Sequence, residues 1–226
     1  MPTTARYAAL ARLLIRHGRS DLVSGAGLDE FGVDELAGEE GADPGTADRA
    51  ERLAEDIEAM GPTYIKLGQL LSTRFDLLPP AYTTALSRLQ DRVGPFPVEE
   101  AREMIEADFG IQVRHLYADF DDVPMAGASL GQVHRARLRS GREVVVKVQR
   151  PGIHETMAQD VALLHRASRI LRLVSRAGRV VDFDAVLDEM WAAAQQEMDF
   201  LLEAEHIREL SELNADIRYI GFPAVE

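Results

Sequence analysis

The most constraining feature of this 226-residue sequence is a pair of valine-rich segments joined by a short turn. Residues 130–138 and 143–149 flank the tetrapeptide Arg-Ser-Gly-Arg, a connection of hairpin length. Alternation in the second segment puts three valines on one face and leaves Lys147 on the other, beside Val145 and Gln149. The pattern predicts a β-hairpin whose lysine stands opposite the core residues.

Small or flexible residues fill most of the segment that leads into the hairpin: Ala126, Gly127, Ala128, Ser129 and Gly131. Small side chains let backbone amides approach phosphate groups closely, which is why nucleotide-binding turns are built from them. An ordinary tight turn has the same composition. The segment therefore gains meaning only from its neighbours in the chain.

An acidic helix is predicted downstream, from about residue 183 to 213. On one continuous helix, Asp199 and Glu203 lie about 40° apart, whereas Glu197 points nearly the opposite way. That helix can offer carboxylates to Lys147, although a solvated acidic face would show the same pattern. The order of turn, hairpin, strand lysine and helix glutamate is that of a kinase small lobe, where the lysine contacts nucleotide phosphates.

Upstream of the hairpin, residues 47–120 are predicted to be helical. One long helix runs to about residue 71 with a kink at Gly61-Pro62, and others follow Pro79-Pro80 and occupy residues 98–109. Lys66 and Gln69 are three residues apart and hence on one face of the long helix. We expect this face to point the polar pair into a cleft.

The N-terminal region divides into a basic and an acidic part. Residues 1–27 predict a short amphipathic helix rich in arginine, which could dock on the protein itself or on a membrane surface. Residues 28–46 contain acids and glycines but no basic residue, which predicts a flexible linker. No apolar run approaches the ~20 residues that span a bilayer.

Composition excludes several classes of function. A net charge of -13 argues against nucleic-acid binding, which requires a basic surface. The absence of cysteine excludes disulfides and thiolate metal sites and fits a cytoplasmic setting. The six histidines are scattered, so no metal site is predicted.

Four segments together resemble the UbiB (AarF-domain) family of atypical protein-kinase-like proteins. They are residues 61–69 (GPTYIKLGQ), 124–134, 144–152 (VVVKVQRPG) and the run Glu-Met-Asp-Phe at 197–200 with Glu-Ala at 203–204. The resemblance implies an α+β fold in which a helical N-terminal extension packs on a kinase-like small lobe with an antiparallel sheet and an αC-type helix. Residues 121–226 would form that lobe.

The resemblance also implies roles for individual residues. Lys66 and Gln69 match the family's KxGQ motif, and Glu197 and Asp199 match its ExD motif. Lys147 matches the nucleotide-binding lysine, with Glu203 as its ion-pair partner. The cofactor implied is ATP or ADP, held by the loop of residues 126–131. The family's link to coenzyme Q metabolism suggests a lipid or quinone-precursor substrate and a place at the inner face of a membrane.

Two positions depart from the family pattern. Gly127 stands where the family's loop usually has alanine. Val145 stands two residues before the lysine, where the family commonly has alanine, and its larger side chain would narrow the slot for adenine. The sequence also lacks the catalytic-loop aspartate and asparagine and the Asp-Phe-Gly metal site, so it resembles the N-terminal part only. Mg²⁺ binding is expected only with a C-terminal lobe. Residues 217–225 predict a last strand.

Two classes of function are compatible with these features. In one, the chain is the nucleotide-binding part of an atypical kinase or ATPase. In the other, it is a non-catalytic nucleotide-sensing or scaffold module.

Overall fold

A computed structural model describes residues 3–17, 44–89, 94–174 and 182–226. The helices in these ranges are α1 (Thr3–His17), α2 (Pro44–Met60), α3 (Pro62–Ser72), α4 (Pro80–Leu86), α5 (Val98–Phe109), α6 (Val113–Leu116), α7 (Ile153–Val174), α8 (Phe183–Met198) and α9 (Phe200–Leu213). The strands are β1 (Tyr117–Phe120), β2 (Ala126–Gly127), β3 (Gly131–Leu138) and β4 (Glu143–Gln149). The α+β class is confirmed.

The antiparallel sheet is organised around β3. This strand pairs with β4 along its whole length, whereas β2 and β1 share its other edge, β2 near the start of β3 and β1 near its end. Gly141 turns the β3–β4 hairpin at a positive φ of 90°. The predicted hairpin and its alternation are confirmed, since Val148 is buried and Val145 is 62% exposed.

The described residues form two separate hydrophobic cores. Helix α5 packs against the inner face of the sheet, where Ile105 and Val113 meet Phe120 and Val148. The other core joins helices α2, α3, α4, α7 and α8. Residues 98–120 pack with the sheet, upstream of the predicted start of the lobe at residue 121, because β1 pairs with β3 and α5 buries its apolar face there.

The predicted long N-terminal helix is in fact two. Gly61 adopts a φ of 98°, which no helical residue has, so α2 ends before it. Pro62 then begins α3, where its lack of an N–H breaks no hydrogen bond because the first residues of a helix have no acceptor for their N–H groups. Helix α2 starts at Pro44, so residues 44–46 are helical rather than linker. The rest of the predicted linker lies outside the described residues.

Two further differences concern segments after the hairpin. Helix α7, which the sequence analysis did not predict, contributes Met157 and Val161 to the helical core. Residues 217–225 form no strand, because no described strand lies beside them to share backbone hydrogen bonds.

Helix α1 docks on the protein itself. Leu10 is buried, Arg6 forms an ion pair with Asp160 of α7 at 3.1 Å, and Arg16 forms one with Asp56 of α2 at 2.8 Å. Hydrogen bonds from His17 and Arg16 outweigh the effect of burial and lower the pKa of Asp56. Within the described ranges, every helix is too short or too polar to cross a membrane.

Gly131 is held in a close backbone approach. A Cβ atom there would lie 2.5 Å from the carbonyl oxygen of Val148, which is fixed in the β3–β4 ladder. We expect Gly131→Ala to lower the free energy of unfolding by about 1–3 kcal/mol in denaturant titrations. The control is Gly94→Ala, where a Cβ meets nothing within 4 Å and φ is ordinary. Equal stability of the two variants would contradict the close approach.

Candidate functional site

Lys147 projects from the exposed face of β4 toward α9. Its ammonium lies 2.6 Å from Glu203 Oε2 and 4.5 Å from the centre of the Phe200 ring. The two side chains are 41% and 46% exposed, so the pair is open to solvent. The predicted contact between Lys147 and Glu203 is confirmed, and it holds the ammonium over an aromatic face that favours a cation.

The break between α8 and α9 places this glutamate. Asp199 separates the two helices, and its carboxylate accepts hydrogen bonds from the backbone amides of Leu201 and Leu202 at 3.1 and 3.0 Å. The prediction of one helix over residues 183–213 is wrong, because this N-cap starts a new helix. The Asp199 carboxylate therefore caps the helix backbone, and among the described residues Glu203 is the carboxylate paired with Lys147.

The carboxylate just before the break faces a different helix. Glu197, in the last turn of α8, meets the ammonium of Lys66 on α3 at 2.9 Å. Lys66 is only 14% exposed and Glu197 is 46% exposed. The side-chain amide of Gln69 donates to the carbonyl of Leu89 at 3.1 Å. The two residues of the KxGQ motif thus connect α3 to two different neighbours.

A neutral side chain near this site makes a second contact with the helix break. Gln149, at the end of β4, donates its side-chain amide to the carbonyl of Met198 at 3.1 Å. The same strand therefore touches α8 through Gln149 and α9 through Lys147. These two contacts fix the sheet against both sides of Asp199.

Small residues form the turn that faces the strand lysine. Ala126 and Gly127 pair with Val133 and Gln132, and the amide of Ala128 donates to the carbonyl of Gly131 at 2.8 Å. Ala126 and Gly127 are exposed and Ser129 is buried. Because Val133 is directly opposite Lys147 in the ladder, the turn and the lysine share one end of the hairpin.

Val145 extends the exposed face beyond Lys147. The two residues are separated by one position on the same side of β4, and Val145 is 62% exposed. The exposed face thus carries, side by side, the apolar side chain of Val145, the ammonium group of Lys147 and the turn of small residues. Among the described residues, no three His, Asp or Glu side chains are grouped to hold a metal ion.

A buried polar network beneath the turn was missed by the sequence analysis. The side-chain amide of Gln132 exchanges hydrogen bonds with the backbone of Phe96 at 3.0 and 3.2 Å and lies 2.9 Å from His134 Nε2. His134 Nδ1 lies 2.7 Å from the carbonyl of Asp121. Since a carbonyl only accepts, Nδ1 carries the proton and Nε2 accepts from Gln132. The sequence did contain a signal for this network, because Gln132 and His134 are polar residues at core positions of β3.

This geometry agrees with the comparisons to known proteins. Residues 88–226 match the model of the ABC1 atypical kinase-like domain. The chain belongs to this family. The match contains the whole sheet and both helices that flank Asp199, so the family region includes the Lys147–Glu203 pair.

Similar proteins extend the match toward the N-terminus. A protein named "Probable protein kinase UbiB" from Marinobacter nauticus is 40% identical over 176 residues, which cover 77% of this chain and 32% of that protein. "Protein ACTIVITY OF BC1 COMPLEX KINASE 8, chloroplastic" from Arabidopsis thaliana is 41% identical over 178 residues, covering 78% and 23%. The chain therefore spans about a quarter to a third of these relatives.

A solved structure is also similar. The complex of Rv3197 with erythromycin from Mycobacterium tuberculosis matches with a TM-score of 0.49 and 31% identity, over 70% of this chain and 40% of that chain.

The Lys66–Glu197 ion pair is expected to couple α3 to α8 energetically. Because Lys66 is largely buried, a double-mutant cycle with Lys66→Ala and Glu197→Ala should give a coupling energy of about 1–2 kcal/mol in denaturant unfolding. The exposed pair Arg102–Asp122, at 2.6 Å, is the control and should give about 0.5 kcal/mol or less. A Lys66–Glu197 coupling no larger than the control would show that the contact contributes nothing specific.

Proposed function

We propose that this chain is the nucleotide-binding part of a kinase-like protein, with Lys147 contacting the phosphates of ATP or ADP. The observation that carries the proposal is the Lys147–Glu203 pair, placed on an exposed face beside a turn of small residues. Kinase small lobes use the same combination of strand lysine and helix glutamate.

The side chains on this face suit a nucleotide. The exposed turn of Ala126 and Gly127 leaves backbone amides within reach of phosphate oxygens, since no large side chain covers them. Lys147 supplies a positive charge for those phosphates, and Val145 supplies an apolar surface for a base. When bound, the nucleotide would supply a transferable phosphoryl group.

Glu203 acts by orienting the lysine. A lysine side chain loses up to about 2 kcal/mol of rotamer entropy when it is fixed in one position. An ion pair with Glu203 and the ring of Phe200 below the ammonium restrict it before a ligand arrives. Asp199 contributes indirectly, because it caps the helix that carries Glu203.

Lys66, Gln69 and Glu197 would position the extension against the nucleotide lobe. Lys66 bridges α3 to Glu197 two residues before the Asp199 cap, and Gln69 fixes α3 to the end of the α4 segment. A movement of the extension would therefore reach the helix break that places Glu203. This connection favours a positioning role over direct contact with the nucleotide.

The wider activity belongs to the proposal as well. Kinase-type transfer requires Mg²⁺, for which the family's C-terminal lobe would supply the ligands. A lipid or quinone-precursor substrate, a link to ubiquinone metabolism and a cytoplasmic position at the inner membrane face follow from the UbiB resemblance alone.

Nucleotide titrations test the proposal directly. We expect the chain to bind ATP in isothermal titration calorimetry, and Lys147→Ala to weaken binding at least tenfold by removing the phosphate contact. Glu203→Gln, which preserves shape but removes the charge, should weaken binding by a smaller factor.

The control for the loss of a positive charge is Arg52→Ala, an exposed arginine on α2. Its affinity for ATP should stay within twofold of the unsubstituted chain. Equal weakening by Arg52→Ala and Lys147→Ala would reduce the effect to net charge, and unchanged binding in Lys147→Ala would contradict the proposed phosphate contact.

A further inference from the structure

A cavity of about 820 Å³ lies between α1 and the helices on which it docks. Apolar side chains make up much of its wall: Ala9, Leu13, Ala59, Met60 and Pro62. Its volume falls in the range of pockets that enclose small organic ligands. None of its lining residues belongs to the Lys147 site, so it is a second and separate concave region.

The charged side chains of the cavity are unbalanced. Arg6, Arg12 and Arg16 line it, whereas Asp56 and Asp160 are the only carboxylates among its lining residues in the described part of the chain. Arg6 is paired with Asp160 and Arg16 with Asp56. One guanidinium group is thus left in excess, in a protein whose net charge is -13.

Arg12 is the arginine in excess. Its Nε donates to the carbonyl of Ala8 at 3.2 Å, and no carboxylate in the described part of the chain lies within ion-pair distance of it. The side chain is exposed at the cavity mouth. Its terminal nitrogens can therefore form the bidentate contact that guanidinium groups make with carboxylates and phosphates.

The floor of the cavity provides a second, independent observation. Tyr64 lines it with 3% of its surface exposed, and its hydroxyl has no hydrogen-bond partner among the described residues. Burial and the charge of Asp160 raise the pKa of Tyr64, so the phenol stays neutral and able to donate. A buried hydroxyl without a partner destabilises a protein, and an acceptor atom that a ligand brought to it would relieve this effect.

The cavity also receives the start of α3. Gly61 and Pro62 line it, and the first turn of this 11-residue helix directs the positive end of its dipole there. The helix dipole, the guanidinium group of Arg12 and the buried phenol all favour a hydrogen-bond acceptor, and preferably an anion, in this otherwise apolar space.

We propose that this cavity binds an amphiphile with a single anionic head group, a phosphate or a carboxylate, and an apolar tail. Arg12 contacts the head group, and the wall formed by Leu13, Ala59 and Met60 contacts the tail. An inorganic anion would leave that wall against water, and a cationic amphiphile would be repelled by the positive charge of Arg12. The ligand therefore needs both the negative charge and the apolar body.

Calorimetry with octyl phosphate, below the concentration at which it forms micelles, tests this site. We expect octyl phosphate to bind at least tenfold more tightly than inorganic phosphate or octanol. Arg12→Gln should weaken its binding at least tenfold, whereas Arg208→Gln, which removes an exposed positive charge on α9, should change it less than twofold.

A second variant tests the tail contact without changing charge. Ala59→Trp fills the space beside Met60 and should also weaken octyl phosphate binding at least tenfold, with circular dichroism verifying that the helices form. Vesicles containing phosphatidylglycerol distinguish the source. Arg12-dependent binding to vesicles would assign the head group to a bilayer lipid, and its absence would assign a free amphiphile.

The proposal is overturned if octyl phosphate binds no more tightly than inorganic phosphate. It is also overturned if Arg12→Gln and Arg208→Gln weaken binding equally, which would reflect net charge, or if Ala59→Trp leaves the affinity unchanged.

Discussion

The arrangement of charged residues in this protein depends on one hydrogen-bonded helix cap. Asp199 follows the last residue of α8, and its carboxylate accepts hydrogen bonds from backbone amides in the first turn of α9. One helix therefore ends and the next begins at this residue. Glu197 before the cap faces α3, and Glu203 after it faces β4. On a continuous helix, the rotation of 100° per residue alone would set the directions of these two carboxylates. The cap instead places them in different surroundings.

The two ion pairs on either side of the cap differ in physical character. Lys147 and Glu203 are both more than a third exposed, and such pairs stabilise a fold by about 0–1 kcal/mol at most. Stability alone therefore gives little reason for this contact, which favours a role in binding. Lys66 is largely buried, so its ion pair with Glu197 is shielded from water more than the Lys147–Glu203 pair is. That pair ties the helical extension to the lobe.

Much of the sheet could be predicted from the sequence, because period-two valines and a glycine-containing turn specify a hairpin locally. The contact of Lys147 with Glu203 was also predicted, since the family resemblance pairs the strand lysine with that glutamate. The break at Gly61-Pro62 was predicted only as a kink, and the break at Asp199 was not predicted. Both carried local signals, a Gly-Pro pair at 61–62 and an aspartate before an apolar helical run at 199, but apolar periodicity continues through each and outweighed them.

Tertiary contacts explain what local patterns could not supply. The assignment of α5 to the sheet core requires knowing that β1 pairs with β3, and the roles of Gln132 and His134 require knowing that Phe96 lies beside them. The cavity beneath α1 is likewise a product of docking. Its arginines were visible in the sequence as a basic helix, whereas Tyr64 and Asp160, which complete it, lie far away along the chain.

Hydrogen–deuterium exchange with and without ATP tests most directly whether the nucleotide binds beside Lys147. At saturating ATP, amides of the turn at residues 126–131 and of β4 should exchange more slowly, while those of α5 and of the α1 cavity should be unaffected. Protection confined to α1, α2 and α3, or no protection at a concentration that saturates binding, would contradict the proposed site.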